Sequence, residues 1–503
     1  MRRAVPYLFI AIAVLIVFGS AVNAPFHYDD HALLVDPAIT SPDGWLTVWR
    51  PEQSRPLTYF TFWLNYRLGG ADPSGYHAAN LALHIGAAWL LLTVLLRYVP
   101  VETALIAAFL FAVHPIQAEA VMYIFARSTL LAAALTFAAF LAWSHRRRWL
   151  AVGVFALALL AKEEAAAFPA VLALLYIAGE RDPADRAPIA SMFTLALAAV
   201  ARVALLTATV PGSGAGPAAG VSPLDYFLTQ GWVILRYLRM LAVPAGFTVD
   251  PAIAVMADWR GVLCWLLLAA LAYIAWRDLG RSLSSLWLLA GLALLMPTSS
   301  IFPANDLAAD RRMYLPLLGF ATVAGLLLER TRFPALLPAL VVLLGVLGWA
   351  RASAWDSEAA LWEDAVRKAP EKVRPRIQLS RAVPPRDAIG HLLEARRIAP
   401  ADPAIASELG RVYLELGNPS QALTEFGRAV AANPGDALAL NNRGVALEAL
   451  GLRDHAIADF RKALDIDPCL YDARINLSKT DSTPAPAPAR CRFTRAQQAE
   501  LRR

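Results

Sequence analysis

The chain has 503 residues, of which 58% are hydrophobic, and its mean hydropathy is +0.47. Ordinary soluble domains contain roughly 45–50% apolar residues, so this composition excludes a soluble globular protein and predicts a polytopic membrane protein. The net charge of +6 comes mainly from arginines in short turns between apolar segments. Such a distribution is typical of membrane topology signals, and no nucleic-acid partner is expected.

Apolar segments that reach or approach the length needed to cross a bilayer follow one another through the first two thirds of the chain. They predict helices at 6–22, 77–97, 102–124, 128–144, 149–161, 164–178, 188–207, 261–276, 282–297, 313–329 and 333–350. The first begins after two arginines and is interpreted as a retained signal anchor. The pattern predicts an all-α fold in which residues 1–352 form a polytopic bundle of about 11 transmembrane helices.

One further helical segment, 226–243, carries Arg236 and Arg239 well inside its length. Charges at bilayer depth are costly and usually face a cavity or the interface, so we interpret this segment as re-entrant or interfacial. Every turn on the side of the N-terminus then contains arginine, which places that side in the cytoplasm. The loop 23–76 and the chain after 350 lie outside. If 226–243 crosses the membrane, everything after it changes side.

The external loop 23–76 contains an acidic pair and an amphipathic stretch. Residues 55–68 interleave aromatic and aliphatic with polar residues, which predicts a helix lying at the membrane interface. Asp29 and Asp30 follow the first helix by a few residues. Three roles fit such a pair: a solvated loop or helix cap, a ligand for a hard cation, or a general base that activates a hydroxyl acceptor. Two acids alone leave these alternatives open.

The C-terminal 150 residues lose the apolar segments and contain a repeat. Residue pairs 34 positions apart are Gly410 and Gly444, Gly417 and Gly451, Ala422 and Ala456, Phe426 and Phe460, Ala429 and Ala463, and Pro434 and Pro468. This period is typical of the tetratricopeptide repeat, in which small residues let paired helices approach. Full repeats are predicted at about 403–436 and 437–470, with a degenerate repeat at about 371–400, in a repeat domain spanning 356–478. A Pro/Ala-rich tail, 479–503, is predicted to be disordered.

Short motifs in the membrane domain occur in a definite order. They are YDD at 28–30, RPLT at 55–58, HP at 114–115 with EA at 119–120, KE at 162–163, and DRRMYLP at 310–316. With the repeats that follow, this order resembles the transmembrane and tetratricopeptide-repeat O-mannosyltransferases of the secretory pathway and their bacterial relatives, which are GT-C glycosyltransferases. The resemblance extends from about residue 20 to 478 and is carried by the ordered combination of motifs.

The resemblance implies a GT-C-like membrane fold and a donor in which the sugar is linked to polyprenyl phosphate. In this family the first external loop carries the catalytic acid, and the matching positions are Asp29, favoured as the base, and Asp30. Further substrate-cleft candidates are Arg55, His77, His114, Glu119, Glu163 and Tyr314. The sequence departs from the family pattern at Asp310, where the family has glutamate.

Positive charge near the donor phosphate is expected on physical grounds, because the phosphate gains negative charge as the sugar leaves. The candidate phosphate ligands are Lys162, Arg311, Arg312, Arg236 and Arg239. Simpler roles compete with these assignments. Lys162 fits a helix-end ion pair, Arg236 and Arg239 fit side chains that extend toward lipid headgroups, and His77 and His114 fit packing or helix-end positions.

The sequence therefore predicts a membrane glycosyltransferase that moves a mannose-like sugar from polyprenyl phosphate to Ser/Thr hydroxyls of exported proteins, with inversion. It is expected in a bacterial inner membrane among lipids, with an external repeat domain that binds acceptor or partner protein. No cofactor is expected besides the lipid-linked donor, and no divalent metal. The alternative is a non-enzymatic scaffold whose repeats recruit periplasmic partners. Whether Cys469 and Cys491 pair is left open.

Overall fold

The structure, a computed structural model, is built from helices throughout the residues that it describes. Described are residues 4–51, 53–179, 181–209, 220–299, 302–304, 306–330, 336–481 and 491. Two compact units divide the chain: Met1–Leu361, called the membrane unit below, and Trp362–Arg503, called the repeat unit. The sequence placed the end of the membrane domain at 352 and the start of the repeat domain at 356.

The membrane unit contains most of the helices. They are α1 (Val5–Phe18), α2 (Asp30–Leu33), α3 (Pro37–Thr40), α4 (Gly44–Thr47), α5 (Pro56–Gly69), α6 (Pro73–Leu95), α7 (Val101–Val113), α8 (Ala118–Met122), α9 (Arg127–Ser144), α10 (Arg148–Ala161), α11 (Phe168–Ala178), α12 (Arg186–Thr209), α13 (Pro223–Ala242), α14 (Trp259–Arg277), α15 (Leu283–Leu295), α16 (Leu317–Glu329) and α17 (Leu336–Ala352). A further helix, α18 (Glu358–Lys368), begins in this unit. The polytopic helical fold expected from the sequence is confirmed.

Six helical segments in the described ranges are long and apolar enough to cross a membrane. They are Val5–Asn23, Pro73–Leu95, Ile124–Ser144, Pro183–Thr207, Trp259–Arg277 and Pro338–Trp355. A bent pair, Val101–Val113 with Pro115–Met122, makes a seventh if it counts as one span. The expected number of about 11 is not confirmed. Helices α10, α15 and α16 have 14, 13 and 13 residues, about 20 Å of helix against a hydrocarbon core of about 30 Å.

The predicted continuous helix 102–124 is broken at the His-Pro pair. The two halves meet at an angle of 48°. Pro115 has no N–H to continue the helical hydrogen bonds, and Nδ1 of His114 instead accepts a hydrogen bond from the N–H of Ile116 at 3.1 Å. The sequence showed this pair, but the apolar residues on both sides concealed the break.

Helix α13, which covers the ambiguous segment 226–243, is not among the candidate spans in the described ranges. Ser222 caps its N-terminus by accepting from the N–H of Asp225. Arg236 is buried and donates to the carbonyl of Gly246 at 2.9 Å, whereas Arg239 is exposed. The interpretation of α13 as interfacial or re-entrant stays a prediction.

Helices α15 and α16 approach each other closely because glycine lies on both sides of their contact. A Cβ atom on Gly319 would lie 2.4 Å from the backbone nitrogen of Gly291 and 2.4 Å from the carbonyl oxygen of Trp287. No side chain fits in that space. Small residues allow membrane helices to pack backbone against backbone, and this contact positions α15, whose C-terminal end borders the candidate site.

The repeat unit continues with helices that pack in sequence. They are α19 (Val373–Ala382), α20 (Pro385–Ile398), α21 (Pro403–Glu415), α22 (Pro419–Ala432), α23 (Ala437–Ala449), α24 (Arg453–Ile466) and α25 (Tyr471–Asp481). In both predicted full repeats the first glycine faces a phenylalanine ring: a Cβ atom on Gly410 would lie 2.7 Å from Phe426, and one on Gly444 would lie 2.6 Å from Phe460. This is the small-residue packing expected of a tetratricopeptide solenoid, which is confirmed.

Cys469 and Cys491 form a disulfide, with their Cα atoms 5.3 Å apart. This answers the question that the spacing in the sequence left open. Of the tail predicted to be disordered, 479–503, residues 479–481 belong to α25 and 491 is described. The rest of that prediction lies outside the described residues, as do Arg2 and Arg3, on which the predicted orientation depends.

Candidate active site

The membrane unit contains a cavity of about 760 Å³ whose lining combines charged and apolar side chains. Its charged and hydroxyl-bearing lining includes Asp29, Arg55, Tyr123, Ser128, Lys162, Glu163, Glu164, Tyr226, Arg311 and Arg312. Six of these residues were predicted as site residues from the sequence: Asp29, Arg55, Lys162, Glu163, Arg311 and Arg312. The fold thereby brings residues that are far apart in the chain together around one cavity. We call this cavity the candidate active site.

The two acids of the first loop have different surroundings. Asp29 is exposed and lines the cavity, and its Oδ2 accepts a hydrogen bond from the Tyr123 hydroxyl at 3.1 Å. Asp30 is fully buried and accepts from the backbone N–H groups of His27 at 3.0 Å and Phe125 at 2.8 Å. Burial raises the pKa of Asp30 to about 8. A substrate in the cavity can reach Asp29, whereas Asp30 ties the loop to the segment that precedes α9.

Contacts on both sides hold the first loop in place. The ring of Tyr28 stacks on Tyr123 with centroids 4.9 Å apart, and its backbone N–H donates to Oε1 of Glu358 at 2.9 Å. Nε2 of His27 lies 2.8 Å from the carbonyl oxygen of Trp355. Burial lowers the pKa of His27 to about 4, so its ring is neutral at physiological pH. The acidic pair therefore lies on a well-anchored segment.

Two ion pairs form part of the cavity lining. Nε and Nη2 of Arg55 donate to the two carboxylate oxygens of Glu163 at 3.1 and 2.5 Å. Burial opposes ionisation of Glu163, but the Arg55 guanidinium outweighs it and lowers the pKa of Glu163 to about 2. Nζ of Lys162 lies 2.5 Å from Glu164 and donates to the Thr129 hydroxyl at 2.7 Å, and burial lowers its pKa. Arg55 and Lys162 therefore both form ion pairs with carboxylates of the cavity lining.

Arg311 and Arg312 supply further positive charge. Arg311 forms an ion pair with the buried Glu119, which also accepts from the backbone N–H of Arg311 at 3.1 Å. A second carboxylate, Asp306, lies 3.5 Å from Arg311. Arg312 donates to the Tyr226 hydroxyl at 3.2 Å and to the carbonyls of Leu307 at 3.2 Å and Asp306 at 2.6 Å, and it makes no ion pair with any described residue. Arg312 therefore has only neutral hydrogen-bond acceptors, so its positive charge is not matched by a carboxylate and is available to a substrate anion.

Helix α12 contributes an apolar wall to the cavity. The lining residues of α12 are Phe193, Ala196, Leu197, Val200, Val203, Ala204 and Thr207. Their spacing of mostly three and four residues places them on one face of the helix. The end of α15 adds Ala293 and, just beyond it, Met296 and Pro297. The cavity can therefore accommodate a molecule that is anionic at one end and apolar along its length.

Several predicted residues do not line the cavity. They are Asp30, His77, His114, Glu119, Tyr314, Arg236 and Arg239. The Tyr314 hydroxyl lies 2.7 Å from Nδ1 of His84 in a buried contact. Arg236 lies 3.5 Å from Asp310, whose pKa burial raises to about 6 against the opposing charge of Arg236. Apart from the exposed Arg239, these side chains are buried outside the cavity lining, and Glu119 acts on the cavity through Arg311.

Three residues near the site were not singled out in the sequence. Tyr123 binds Asp29, and Glu164 pairs with Lys162. Arg127 is buried and donates to Asn80 Oδ1 at 3.0 Å and to the carbonyl of Tyr76 at 2.9 Å. A charged residue at the start of an apolar helix was the available signal for Arg127, because buried charges are costly and seldom without partners.

Metal ligation was one role considered for the acidic pair. Within the described ranges, no group of three or more His, Cys, Asp or Glu residues is arranged to hold a metal ion. Asp29 and Asp30 have different partners and do not form a shared ligand set. The expectation that the chain needs no divalent metal stays a prediction.

Comparison with known proteins bears on the family. A tetratricopeptide-repeat family model matches residues 407–468. Protein O-mannosyl-transferase TMTC3 of Mus musculus is 25% identical over 502 residues, which cover 84% of this chain and 54% of that protein. Protein O-mannosyl-transferase F38B6.6 of Caenorhabditis elegans is 24% identical over 410 residues, covering 73% of this chain and 58% of that protein. The chain is a relative of the protein O-mannosyl-transferases.

The resemblance to O-mannosyl-transferases that the motifs indicated is thus confirmed, while a bacterial origin stays a prediction. The chain spans about half the length of TMTC3. Among solved structures, the crystal structure of MamA protein is 20% identical with a TM-score of 0.23, covering 25% of this chain and 70% of that chain. A TM-score so low carries no argument about the fold.

Proposed function

We propose that the membrane unit is a GT-C-type glycosyltransferase that moves a mannose-like sugar from a polyprenyl-phosphate donor to a Ser or Thr hydroxyl of an exported protein. The observation that carries this proposal is the single cavity that combines the exposed carboxylate of Asp29, several fixed cations and the apolar face of α12. The names of its O-mannosyl-transferase relatives support the same class of reaction.

A lipid-linked donor has an apolar chain and a phosphate, and the cavity offers a surface for each. The apolar face of α12 suits the chain, because it presents aliphatic side chains along a helix that is long enough to cross the bilayer. Guanidinium groups bind phosphate through paired, charge-assisted hydrogen bonds. Arg312 is the leading phosphate ligand, with Arg311 and Lys162 beside it.

Asp29 is the general base in the proposed reaction. It takes the proton of the acceptor hydroxyl while the oxygen attacks the anomeric carbon. The bond between that carbon and the phosphate oxygen breaks, and the phosphate leaves with the electron pair. The fixed cations stabilise the charge that develops on the departing phosphate. A single displacement without a second nucleophile inverts the configuration.

The reaction is proposed for the external face of a bacterial inner membrane, with the N-terminus in the cytoplasm. Arginine-rich turns at the opposite ends of the helices support this orientation. The Cys469–Cys491 disulfide supports an external repeat domain, because disulfides persist in oxidising compartments. The repeats would bind the acceptor or another protein, and no cofactor or divalent metal is assigned.

The test compares cells that express the native chain, Asp29→Asn or Asp43→Asn at equal membrane abundance. Asp43 lies in the same loop, is exposed and does not line the cavity, so its variant controls for loss of one loop carboxylate. Mass spectrometry would quantify O-linked glycopeptides on exported proteins. We expect Asp29→Asn to lower the transfer rate by about 10²–10⁴-fold, the usual contribution of a general base, and Asp43→Asn to leave it unchanged.

Other outcomes would change the proposal in distinct ways. An equal loss of glycopeptides in Asp29→Asn and Asp43→Asn would show that the loss of any carboxylate from this loop lowers transfer, and that Asp29 has no special role as a base. Normal glycopeptides in Asp29→Asn, combined with their loss on deletion of the gene, would keep the transferase and remove Asp29 as its base. An unchanged glycoproteome after deletion would favour the non-enzymatic scaffold.

A further inference from the structure

A second cavity, called the basic cavity below, lies in the membrane unit at the other end of the helices that border the candidate active site. Its volume is about 610 Å³. On α9, Ser128 lines the candidate active site and Ser144 lines the basic cavity. At 1.5 Å per residue these two positions are about 24 Å apart along the helix. The two cavities therefore lie toward opposite faces of the membrane.

The charged lining of the basic cavity comes from separate turns of the chain. Its members are Arg97, Arg146, Arg181, Arg281, Asp182 and Asp185. They follow α6, join α9 to α10, join α11 to α12, and join α14 to α15. The positive-inside rule accounts for arginines on one side of the membrane, but it does not require them to lie near one another on that side. Their convergence from four places on one open cavity, where all four arginines are exposed, needs a further reason.

The acidic residues of the basic cavity are already matched by arginine. Arg148 forms ion pairs with both Asp182 and Asp185, and Arg146 lies 3.0 Å from Asp182. In the described part of the chain, no carboxylate forms an ion pair with Arg97, Arg181 or Arg281. The cavity lining therefore has four exposed arginines against two aspartates that are already paired, which leaves an excess of positive charge. Arg97 also donates to the carbonyl of Ser144 and contacts the His145 ring, and Arg181 donates to the carbonyl of Ile177, but these neutral partners leave both charges uncompensated.

The backbone at two of these arginines adopts an unusual conformation. Arg146 and Arg181 have φ angles of +61° and +53°, and they are the only non-glycine residues with positive φ in the described ranges. Gly280, which also lines the cavity, has φ +88°. L-residues rarely adopt this left-handed region, and such strain persists where the surroundings enforce it, often at binding sites. Both strained arginines line the same cavity.

Most of the remaining lining is apolar or aromatic, apart from Ser144 and Ser282. It includes Tyr98, Trp143, Leu172, Leu175, Leu283 and Leu286. Such residues suit the glycerol and upper acyl part of a phospholipid whose headgroup meets the arginines. Basic pockets between transmembrane helices are a known physical solution for anionic headgroups.

We propose that the basic cavity binds the phosphate group of an anionic membrane phospholipid, which bridges the turns that carry Arg97, Arg181 and Arg281. The ligand chemistry is that of a phosphate, and a membrane lipid is its proposed source. The bound headgroup would join the ends of α6, α11 and α14, which otherwise carry like charges close together. This proposal is independent of the transfer reaction, since the site lies at the opposite ends of the helices.

The test measures lipid binding to the purified, delipidated full-length protein by native mass spectrometry. Phosphatidylglycerol is the probe, phosphatidylcholine is the zwitterionic comparison, and inorganic phosphate is the competitor. The double variant Arg181→Gln with Arg281→Gln removes two unpaired cations of the cavity. Arg277→Gln is the matched control, because Arg277 is exposed at the end of α14 but does not line the cavity.

We expect the native protein and Arg277→Gln to retain phosphatidylglycerol equally, and the double variant to bind it at least about tenfold more weakly, as the loss of charge-assisted hydrogen bonds implies. Phosphatidylcholine binding should not change. Equal affinity in all three proteins would overturn the proposal, because charge on that face alone would then explain binding. Displacement of the lipid by inorganic phosphate at similar concentration would overturn the lipid as the source. If the double variant aggregates, Arg281→Gln alone provides the same comparison.

Discussion

Asp29 and Asp30 are adjacent in the chain, yet they have opposite surroundings. Asp29 precedes the first turn of α2 and Asp30 begins it, and successive side chains of a helix differ in direction by about 100°. One carboxylate therefore faces the cavity, and the other is buried against the segment before α9. The exposed acid remains available for chemistry because the buried acid fixes the loop that carries it.

Asp30→Ala should destabilise the membrane unit by about 2–4 kcal/mol, because the buried N–H group of His27 and the partly buried N–H group of Phe125 would lose their acceptor. The measurement is the thermal or denaturant unfolding of the purified full-length protein. The matched comparison is Asp29→Ala, which removes an exposed carboxylate and should change stability by less than about 1 kcal/mol. Equal stability of the two variants would contradict the role assigned to Asp30.

The stability contributed by Asp30 should fall as the pH rises. Burial raises the pKa of this carboxyl from 3.8 to about 8, so across that window the native state retains a proton that the unfolded chain has released. A state that binds more protons gains stability as the pH falls. The unfolding free energy of the native protein minus that of Asp30→Asn should therefore fall between about pH 5 and about pH 8. A value of this difference that stays constant or rises over the range would contradict a raised pKa of Asp30.

At the scale of elements, α12 and the glycine positions of the repeats show how one face of a helix determines what can approach it. The cavity-facing side of α12 is apolar and continuous, whereas much of the rest of this helix is exposed in the isolated chain. In the repeats, glycine faces a phenylalanine ring at one position per unit. Both features depend on side-chain size at a helical spacing, and both can be tested by a single change of size.

Val200→Trp should lower transfer by on the order of tenfold or more, since a bulky ring in the apolar wall would displace the lipid chain from its position. Ala198→Trp is the control, because Ala198 is exposed on α12 and does not line the cavity. Transfer to an acceptor peptide would be measured with both proteins in the same lipid. Similar activity in the two variants would show that this face of α12 does not hold the donor.

Gly410→Ala should destabilise the repeat unit by about 1–3 kcal/mol, because the added methyl group would overlap the buried ring of Phe426. Gly427→Ala is the control on the neighbouring helix, where a Cβ atom would meet nothing within 4 Å. That change should stabilise the helix by about 0.5–1 kcal/mol. Hydrogen exchange of the repeat amides in the full-length protein would report both effects, and effects of the same sign would contradict the packing described.

At the scale of the whole molecule, the chain combines two units whose surfaces suit different environments. The membrane unit exposes apolar helices, whereas the repeat unit has charged surfaces and a disulfide. Their sides of the membrane depend on how many segments cross. That number depends on α13, on the bent pair Val101–Val113 with Pro115–Met122, and on the short apolar helices α10, α15 and α16. The reactivity of the cysteines provides an independent test of the side on which the repeat unit lies.

In spheroplasts, Cys469 of the variant Cys491→Ser should react with a membrane-impermeant maleimide if the repeat unit is external. In the native protein both cysteines should react only after reduction, because they form the disulfide. Cys264 is buried and serves as the internal reference. Labelling of Cys469 only after permeabilisation would place the repeats in the cytoplasm and would contradict the predicted number of crossings.

The sequence by itself determined the class of the protein and the order of its parts. Apolar segments of bilayer length and a 34-residue period are patterns along the chain, and they can be recognised without knowing which distant residues touch. The number of spans expected from the sequence was higher than the number found among the described residues, because composition identified α10, α15 and α16 as apolar but did not show where each helix ends. The ordered motifs also indicated the O-mannosyl-transferase relationship, since motif order survives where identity is low.

Only the tertiary structure decided which of the motif residues meet. It placed Asp29, Arg55, Lys162 and the Arg311–Arg312 pair around one cavity, and it placed Tyr314, Arg236 and Arg239 elsewhere. It also paired Glu119 with Arg311 across 192 positions of the chain. Contacts between distant residues depend on how the helices pack, and on breaks such as the one at His114 and Pro115. For this reason the sequence could name the candidates for the site but could not separate the residues that face a substrate from those that hold the fold.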